Sequence, residues 1–197
     1  MIIAVLVILI FAAVVYVYMQ QPKFGKAASG ERLERIKKSP NYKDGAFQNI
    51  SFTPNLTEGV SYFSVTKEFF FTKKERKKPA GIIPSVKTSL HNISPGNDVL
   101  VWFGHSSYFI QIDGKRILVD PVLSGVISPL PFGAKPFKGS HIFTEDDIPE
   151  IDYLFITHDH WDHLDYSTIK KLRTRVKKVI CPLGVAAHLE YWGYTAD

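Results

Sequence analysis

The run from Thr157 to Asp165, Thr-His-Asp-His-Trp-Asp-His-Leu-Asp, constrains what this chain can fold into more than any other stretch. It holds three of the chain's 7 histidines and follows the apolar segment 151–156, which is bounded by polar residues and predicts a buried strand. Neutral imidazoles and carboxylates suit zinc, iron or manganese. The alternative is a chance gathering of surface or helix-capping residues. The spacing and the strand before it favour a metal site.

The spacing within the run predicts two neighbouring ions. Alternation along an extended chain places His158 and His160 on one side, where both reach a first ion. Asp162 and His163 follow in a loop that can turn them toward a second ion. Two such ions, roughly 3.5–4 Å apart, can hold a hydroxide and direct it at a phosphoryl or carbonyl centre. We predict these four residues as metal ligands, Asp162 and His163 as catalytic, and two divalent ions as cofactors, with zinc favoured over iron or manganese.

The pattern H-x-H-x-D-H is the signature of the metallo-β-lactamase superfamily, which this chain resembles. The resemblance extends over about residues 70–197 to the branch that contains N-acyl-phosphatidylethanolamine-hydrolysing phospholipase D. It is carried by the blocks 73–79, 101–107, 117–124 and 181–185. The resemblance implies an α/β fold, the αββα sandwich of two sheets with outer helices.

Two further site residues come from the flanking blocks. In the proteins that this chain resembles, the acidic residue at the position of Asp120 lies under the metal site and orients a ligand histidine; a turn-capping Asp before Pro121 is the alternative. His105 follows a predicted strand and is assigned to substrate binding. A histidine that is hydrogen-bonded within its own loop is the alternative for His105.

Residues 2–19 carry no charge and are almost all aliphatic, which is just long enough to cross a bilayer. A cleaved signal peptide would require a basic residue before the apolar run, and no Lys or Arg precedes it here. An uncleaved single-pass anchor is therefore favoured. The basic residues that follow predict a cytoplasmic main body. Three N-x-S/T triplets, at Asn49, Asn55 and Asn92, point the other way toward a lumenal chain.

Composition agrees with a globular part that contacts an anionic surface. The chain of 197 residues is 45% hydrophobic and 22% charged, enough to bury a core. A net charge of +5, together with the apolar first segment, favours anionic lipid. No nucleic-acid-binding motif is present. The single cysteine, Cys181, excludes an intrachain disulfide and is predicted to be a buried, inert thiol.

The chain divides into a transmembrane anchor at 1–21, a basic tether and lead-in at 22–96, and a metallo-β-lactamase-like domain at 97–197. The β-branched and aromatic content of segment 60–71 predicts a strand. The alternative is an interfacial segment that this stretch forms together with the basic run 73–78. A solvated basic loop is the simpler interpretation of that run. Strands are predicted at 99–103, 108–112, 115–119, 151–156 and 177–181, and helices at 31–38, 166–175 and 184–192. Asp165 is the predicted N-cap of the second helix.

The long stretch 124–150 contains several prolines and apolar residues. A loop of this length inside a compact domain is usually functional, which predicts a lid or a lipid-contacting flap. Packing against the sheet is the simpler alternative. Lys135 and Lys138 are placed to meet a phosphate head group.

These signals together predict a membrane-tethered, dinuclear metal hydrolase of the phospholipase D type, acting on an N-acylated ethanolamine phospholipid. A hydrolase of soluble lactones, esters or phosphodiesters is one alternative, and a non-catalytic membrane-anchored fragment is another. The superfamily supplies a further His, a bridging Asp and a last His from later strands. We therefore expect only the N-terminal half of the sandwich here, a missing C-terminal half, and weak metal binding by this chain alone. Homo-oligomerisation stays open.

Overall fold

The computed structural model describes residues 2–72, 75, 78–130 and 135–195. The helices are α1 (Ile2–Met19), α2 (Gly30–Lys37), α3 (Tyr62–Phe71), α4 (Tyr166–Leu172) and α5 (Ala186–Tyr191). The strands are β1 (Tyr42–Lys43), β2 (Ala46–Phe47), β3 (Val99–Gly104), β4 (Ser107–Ile112), β5 (Lys115–Val119), β6 (Ile151–Phe155) and β7 (Val176–Ile180). The predicted α/β class is confirmed, and the central strands lie within one or two residues of the predicted bounds.

One five-stranded sheet, in the order β3-β4-β5-β6-β7, organises the domain. Its first three strands form an antiparallel meander. Asp113 and Gly114 join β4 to β5 with φ angles of 48° and 69°, the conformation that two-residue hairpin turns require. The pairs β5–β6 and β6–β7 are parallel. The carboxyl ends of β5 and β6 therefore meet at one edge of the sheet.

The two faces of this sheet differ sharply in burial. Phe109, Leu118 and Leu154 are paired across three strands and are fully buried on one face. Strand alternation places Leu100 and Trp102 on the opposite face, where they are 67% and 58% exposed. The same face carries other apolar side chains: Ile110, Ile117, Val119, Phe155 and Ile180. We call this the open face.

Helices α4 and α5 cover the buried face. Asp165 caps α4 as predicted, accepting a hydrogen bond from the Ser167 backbone N–H at 3.1 Å. Ile169 and Leu172 of α4 and Leu189 of α5 are buried in the core. Arg173–Arg175 forms a 3₁₀ turn, so α4 ends earlier than the sequence predicted.

Helix α1 stands apart from this core. None of its residues is buried, and of the helices in the described ranges it alone is long and apolar enough to cross a membrane. A signal sequence near the N-terminus would have the same length and apolar composition as α1. Helix α2 agrees with the predicted amphipathic helix, and its Ile36 is buried.

The predicted strand in segment 60–71 is wrong, because these residues form helix α3. Ser61 starts the helix through a capping box: its hydroxyl accepts the Ser64 N–H at 3.1 Å, and the Ser64 hydroxyl accepts the Ser61 N–H at 3.1 Å. The hydrogen bonds of this local cap outweigh the β propensity of the aromatic residues. Within the predicted basic run that follows, Lys73, Lys74, Arg76 and Lys77 lie outside the described residues.

Candidate metal centre

The candidate site forms where the carboxyl ends of β5 and β6 meet. Parallel pairing aligns Val119 with Phe155, so Asp120 and Thr157 leave their strands side by side. The Thr157 backbone N–H donates to Asp120 Oδ1 at 2.8 Å, and the Thr157 hydroxyl donates to Asp120 Oδ2 at 2.6 Å. His105, in the turn between β3 and β4, reaches the same edge. Clefts outside the carboxyl ends of strands are common ligand sites.

His158 and His160 converge as the sequence predicts. His158 Nε2 and His160 Nδ1 lie 3.1 Å apart, and the ring centroids are 4.6 Å apart. Two ligands held at 2.0–2.1 Å from one tetrahedral ion are separated by about 3.3 Å. The spacing of this nitrogen pair therefore fits a single bound ion. The Thr157 hydroxyl lies 2.9 Å from His158 Nδ1, the nitrogen that a ligating Nε2 leaves for a partner.

Asp120 supports the third histidine. Its side chain is 1% exposed, and its Oδ2 lies 2.8 Å from Nδ1 of His163. A carboxylate on one ring nitrogen fixes the ring orientation and leaves the other nitrogen to bind a metal. The His163 ring lies 3.9 Å from that of His158, so all three histidines occupy one cluster. Asp120 thus has the contacts expected of the orienting residue.

The remaining predicted residues approach from the other side. His105 Nε2 lies 3.0 Å from Asp162 Oδ2, and the His105 and His163 rings are 5.1 Å apart. Ligand-type atoms of these three residues lie within 4.8 Å of one another and could hold a metal ion. His105 has a φ of 46°, a left-handed conformation that turns its side chain into the cleft. Every sequence-predicted site residue is therefore at this edge of the sheet, and the assigned roles stay predictions.

A cavity of about 1150 Å³ opens beside this cluster. His105 and Asp162 form part of its wall. Its apolar wall includes Ile82, Ile83, Phe103, Val122, Ile127 and Phe137, and its polar wall includes Lys78, Lys135 and Lys138. The Ile83 N–H donates to the Lys138 carbonyl at 2.8 Å, which fastens the lead-in residues to the long loop. Loop residues 131–134, which include the apolar Phe132 of the predicted lid, lie outside the described residues.

Two residues near the site were missed or set aside at the sequence level. Thr157 links Asp120 to His158, and its position directly after β6 was the available signal. His141 has no ligand-type partner at a suitable spacing in the sequence, yet it lines the cavity. Cys181 is half-buried, and burial raises the pKa of its thiol, as expected of an inert cysteine.

Comparison with known proteins assigns the C-terminal part of the chain to a family. The beta-lactamase superfamily domain matches residues 115–197, from β5 through the histidine cluster. This segment belongs to the metallo-β-lactamase superfamily. The matched residues include the H-x-H-x-D-H run at 158–163.

Relatives of this segment include an uncharacterised protein, a phospholipase and a hydroxylase. The uncharacterised protein Rv0906 of Mycobacterium tuberculosis is 32% identical over 160 residues, 81% of this chain and 43% of that protein. N-acyl-phosphatidylethanolamine-hydrolysing phospholipase D 1 of Caenorhabditis elegans is 31% identical over 100 residues, 49% of this chain and 28% of that enzyme. The crystal structure of CmlA, a diiron β-hydroxylase from Streptomyces venezuelae, aligns at 39% identity over 52% of this chain and 20% of that chain, with a TM-score of 0.39. The chain spans less than half the length of each.

Proposed function

We propose that the complete protein is a membrane-anchored, metal-dependent hydrolase of the phospholipase D type that cleaves an N-acylated ethanolamine phospholipid. One observation carries the metal-dependent part: the ring nitrogens of His158 and His160 converge to 3.1 Å beside His163 and Asp162. Four ligand-type side chains, of which Asp162 lines the adjacent cavity, fit a pair of divalent ions.

In this proposal His158 and His160 hold one ion, and Asp162 and His163 hold the second. Divalent ions bound there supply Lewis acidity at the scissile phosphoryl group. Asp120 keeps the His163 ring oriented through the 2.8 Å contact with Nδ1. His105 borders both the cluster and the cavity, so we assign it to substrate contact.

The lipid substrate is supported by the cavity and by the N-terminal helix. The cavity wall combines aliphatic and aromatic side chains with three lysines, which suits a molecule that has both an acyl chain and a phosphate. Helix α1 has 18 apolar residues and none buried. The basic residues after it favour a cytoplasmic main body. The similarity to the nematode phospholipase D points to the same substrate class.

We also propose that the open face of the sheet packs against a second sheet in the complete αββα sandwich. The support is the size of that face: Leu100 and Trp102 are more than half exposed, with apolar neighbours on every strand. Exposed apolar patches larger than a few hundred Å² usually mark a contact surface. The remaining metal ligands would come from that second sheet and its loops.

The test compares the complete protein on phospholipid vesicles, which contain an N-acylated ethanolamine lipid, with soluble phosphodiesters and lactones. We expect release of the N-acylated ethanolamine from vesicles, abolished by His160→Ala. A large preference for soluble substrates would show that the lipid substrate is wrong. Elemental analysis for zinc, iron and manganese decides the metal. A purified protein with neither stoichiometric metal nor hydrolysis would instead be a non-catalytic module.

A further inference from the structure

The last residues of α1 and the chain that follows them are not a free linker, because residues 18–26 pack onto the domain beside the metal cluster. We call them the junction segment. The Tyr18 hydroxyl donates to the Pro129 carbonyl at 2.5 Å. The Lys23 ammonium donates to the same carbonyl and to the Tyr18 hydroxyl, both at 2.8 Å. The end of α1 is thereby fastened to the long loop.

The junction segment also contacts the metal-ligand run itself. The Phe24 and Trp161 rings meet edge to face, with centroids 5.4 Å apart and planes at 81°. Trp161 lies between His160 and Asp162 in the sequence. A ring held on its outer side by Phe24 restricts where the backbone of both neighbours can lie.

A second contact reaches the run through helix α5. The Lys26 backbone N–H donates to His188 Nδ1 at 3.0 Å, and His188 Nε2 lies 3.6 Å from Asp159 Oδ2. Asp159 is the residue between His158 and His160. Beside the His188 ring, the Trp192 indole N–H donates to the Pro22 carbonyl at 2.8 Å. His188 therefore bridges the junction segment and the metal-ligand run.

We propose that the junction segment is a positioning element for the candidate metal site. Phe24 acts through Trp161, and Lys26 acts through His188 and Asp159, on either side of His160. The residues that leave the membrane helix thereby set the geometry of the metal ligands. This inference rests on the metal-binding function proposed above, and it assigns His188 and Trp161 a role beyond core packing.

Two glycines supply a matched test. Gly25 has a φ of +71°, and a Cβ there would overlap the His188 ring. Gly30 has a φ of +56°, and a Cβ there would meet nothing within 4 Å. Both substitutions place a Cβ on a backbone with positive φ, and only the Gly25→Ala Cβ would meet the His188 ring. The backbone strain is greater at Gly25, whose ψ of −158° lies in a region nearly confined to glycine, so Phe24→Ala is tested beside it. The complete protein in detergent is titrated with zinc against a chromophoric chelator. Its tryptophan emission includes that of Trp161 and Trp192, the two tryptophans that the junction segment contacts.

We expect Gly25→Ala to lower zinc affinity by about tenfold, the effect typical of lost support behind metal ligands, and to shift tryptophan emission to longer wavelength. Gly30→Ala should stay within about twofold of the unmodified protein, because it removes no contact to the ligand run. Equal affinity of the Gly25→Ala variant and the unmodified protein would overturn the positioning role.

Phe24→Ala keeps the inference testable if Gly25→Ala does not fold. It removes the ring that packs against Trp161 and Tyr18, and we expect the same direction of change with an unchanged unfolding midpoint. Shifted emission without any loss of affinity would contradict the proposal, since the contact would then be merely structural. A complete protein that binds no zinc, iron or manganese would instead show that the metal function itself is wrong, which the variants cannot mimic.

Discussion

At the scale of single residues, the site depends on backbone conformations that side chains rarely adopt. Asp120 and His105 have φ angles of 40° and 46°, although neither is glycine. Left-handed residues cost about 1–3 kcal/mol and persist where the surroundings hold them in place. Asp120 is held by Thr157 and His163, so its strained backbone is tied to the cluster. His105 is tied to it through Asp162.

Asp120→Asn tests the orienting contact. The amide removes the negative charge beside His163 Nδ1, and we expect metal affinity to fall by ~10-fold to 100-fold. Asp44→Asn is the matched control, because Asp44 also has positive φ, at 53°, and is exposed in the β1–β2 turn away from the cluster. Chelator competition measures both variants. Equal metal affinities of the Asp120→Asn variant and the unmodified protein would show that Asp120 does not support metal binding.

His105→Ala separates substrate contact from metal ligation. We expect kcat/KM of the complete enzyme to fall about tenfold, the loss of one hydrogen-bonding side chain, with metal content unchanged. His91→Ala is the control, since His91 is exposed and its Nε2 lies 3.2 Å from the Asp146 carbonyl oxygen, in another part of the domain. A parallel loss of metal would make His105 a ligand with Asp162 and His163 instead of a substrate contact.

The sequence predicted which residues converge, and the family resemblance predicted Asp120 as one support, but neither predicted the contacts of Thr157 or of the junction segment. His158 and His160 could be found because ligands two residues apart share one side of an extended chain. The bridge from Lys26 through His188 to Asp159 joins three segments that are far apart in the sequence, and no local pattern reports it. Thr157 was visible only as a polar residue after a strand.

At the scale of elements, α3 shows where propensity misleads. Its aromatic residues favour strands, yet the cap at Ser61 and the absence of a pairing strand beside it in the described residues favour a helix. Phe63, Phe69, Phe70 and Phe71 are 69–83% exposed. An exposed aromatic helix followed in the sequence by Lys73 to Lys78 keeps the predicted interfacial segment open.

Vesicle sedimentation tests whether α3 is an interfacial helix. With residues 1–21 removed, we expect the remaining chain to bind anionic vesicles, and the triple change of Phe69, Phe70 and Phe71 to Ser to weaken binding at least about tenfold. Each exposed aromatic ring that enters the interface contributes on the order of 1 kcal/mol or more. A triple Ser variant that binds as well as its parent would show that α3 does not enter the membrane surface. Leu100→Ser is the control, because it removes an exposed apolar side chain of the sheet instead.

At the scale of the whole molecule, the sheet has a core on one side only. The helices α4 and α5 complete the buried face from within the described residues. Successive residues of these strands are apolar, so both faces of the sheet are apolar, and the expected sandwich would cover both. The strands of this chain do not specify what covers the open face. The sequence therefore predicts that a second layer is needed, but not the contacts which that layer makes.

Leu118→Ala and Leu100→Ala therefore form the sharpest test of this asymmetry, because they make the same change on opposite faces of one sheet. Leu118 is fully buried among Phe109 and Leu154, and we expect its truncation to lower the free energy of unfolding by about 2–5 kcal/mol. Leu100 is 67% exposed, so its truncation should cost less than about 0.5 kcal/mol in this chain. Denaturant unfolding in detergent measures both. In the complete protein the proposed second sheet buries Leu100, and there its truncation should approach the cost at Leu118; a cost at Leu100 that stays small in both proteins would contradict the sandwich.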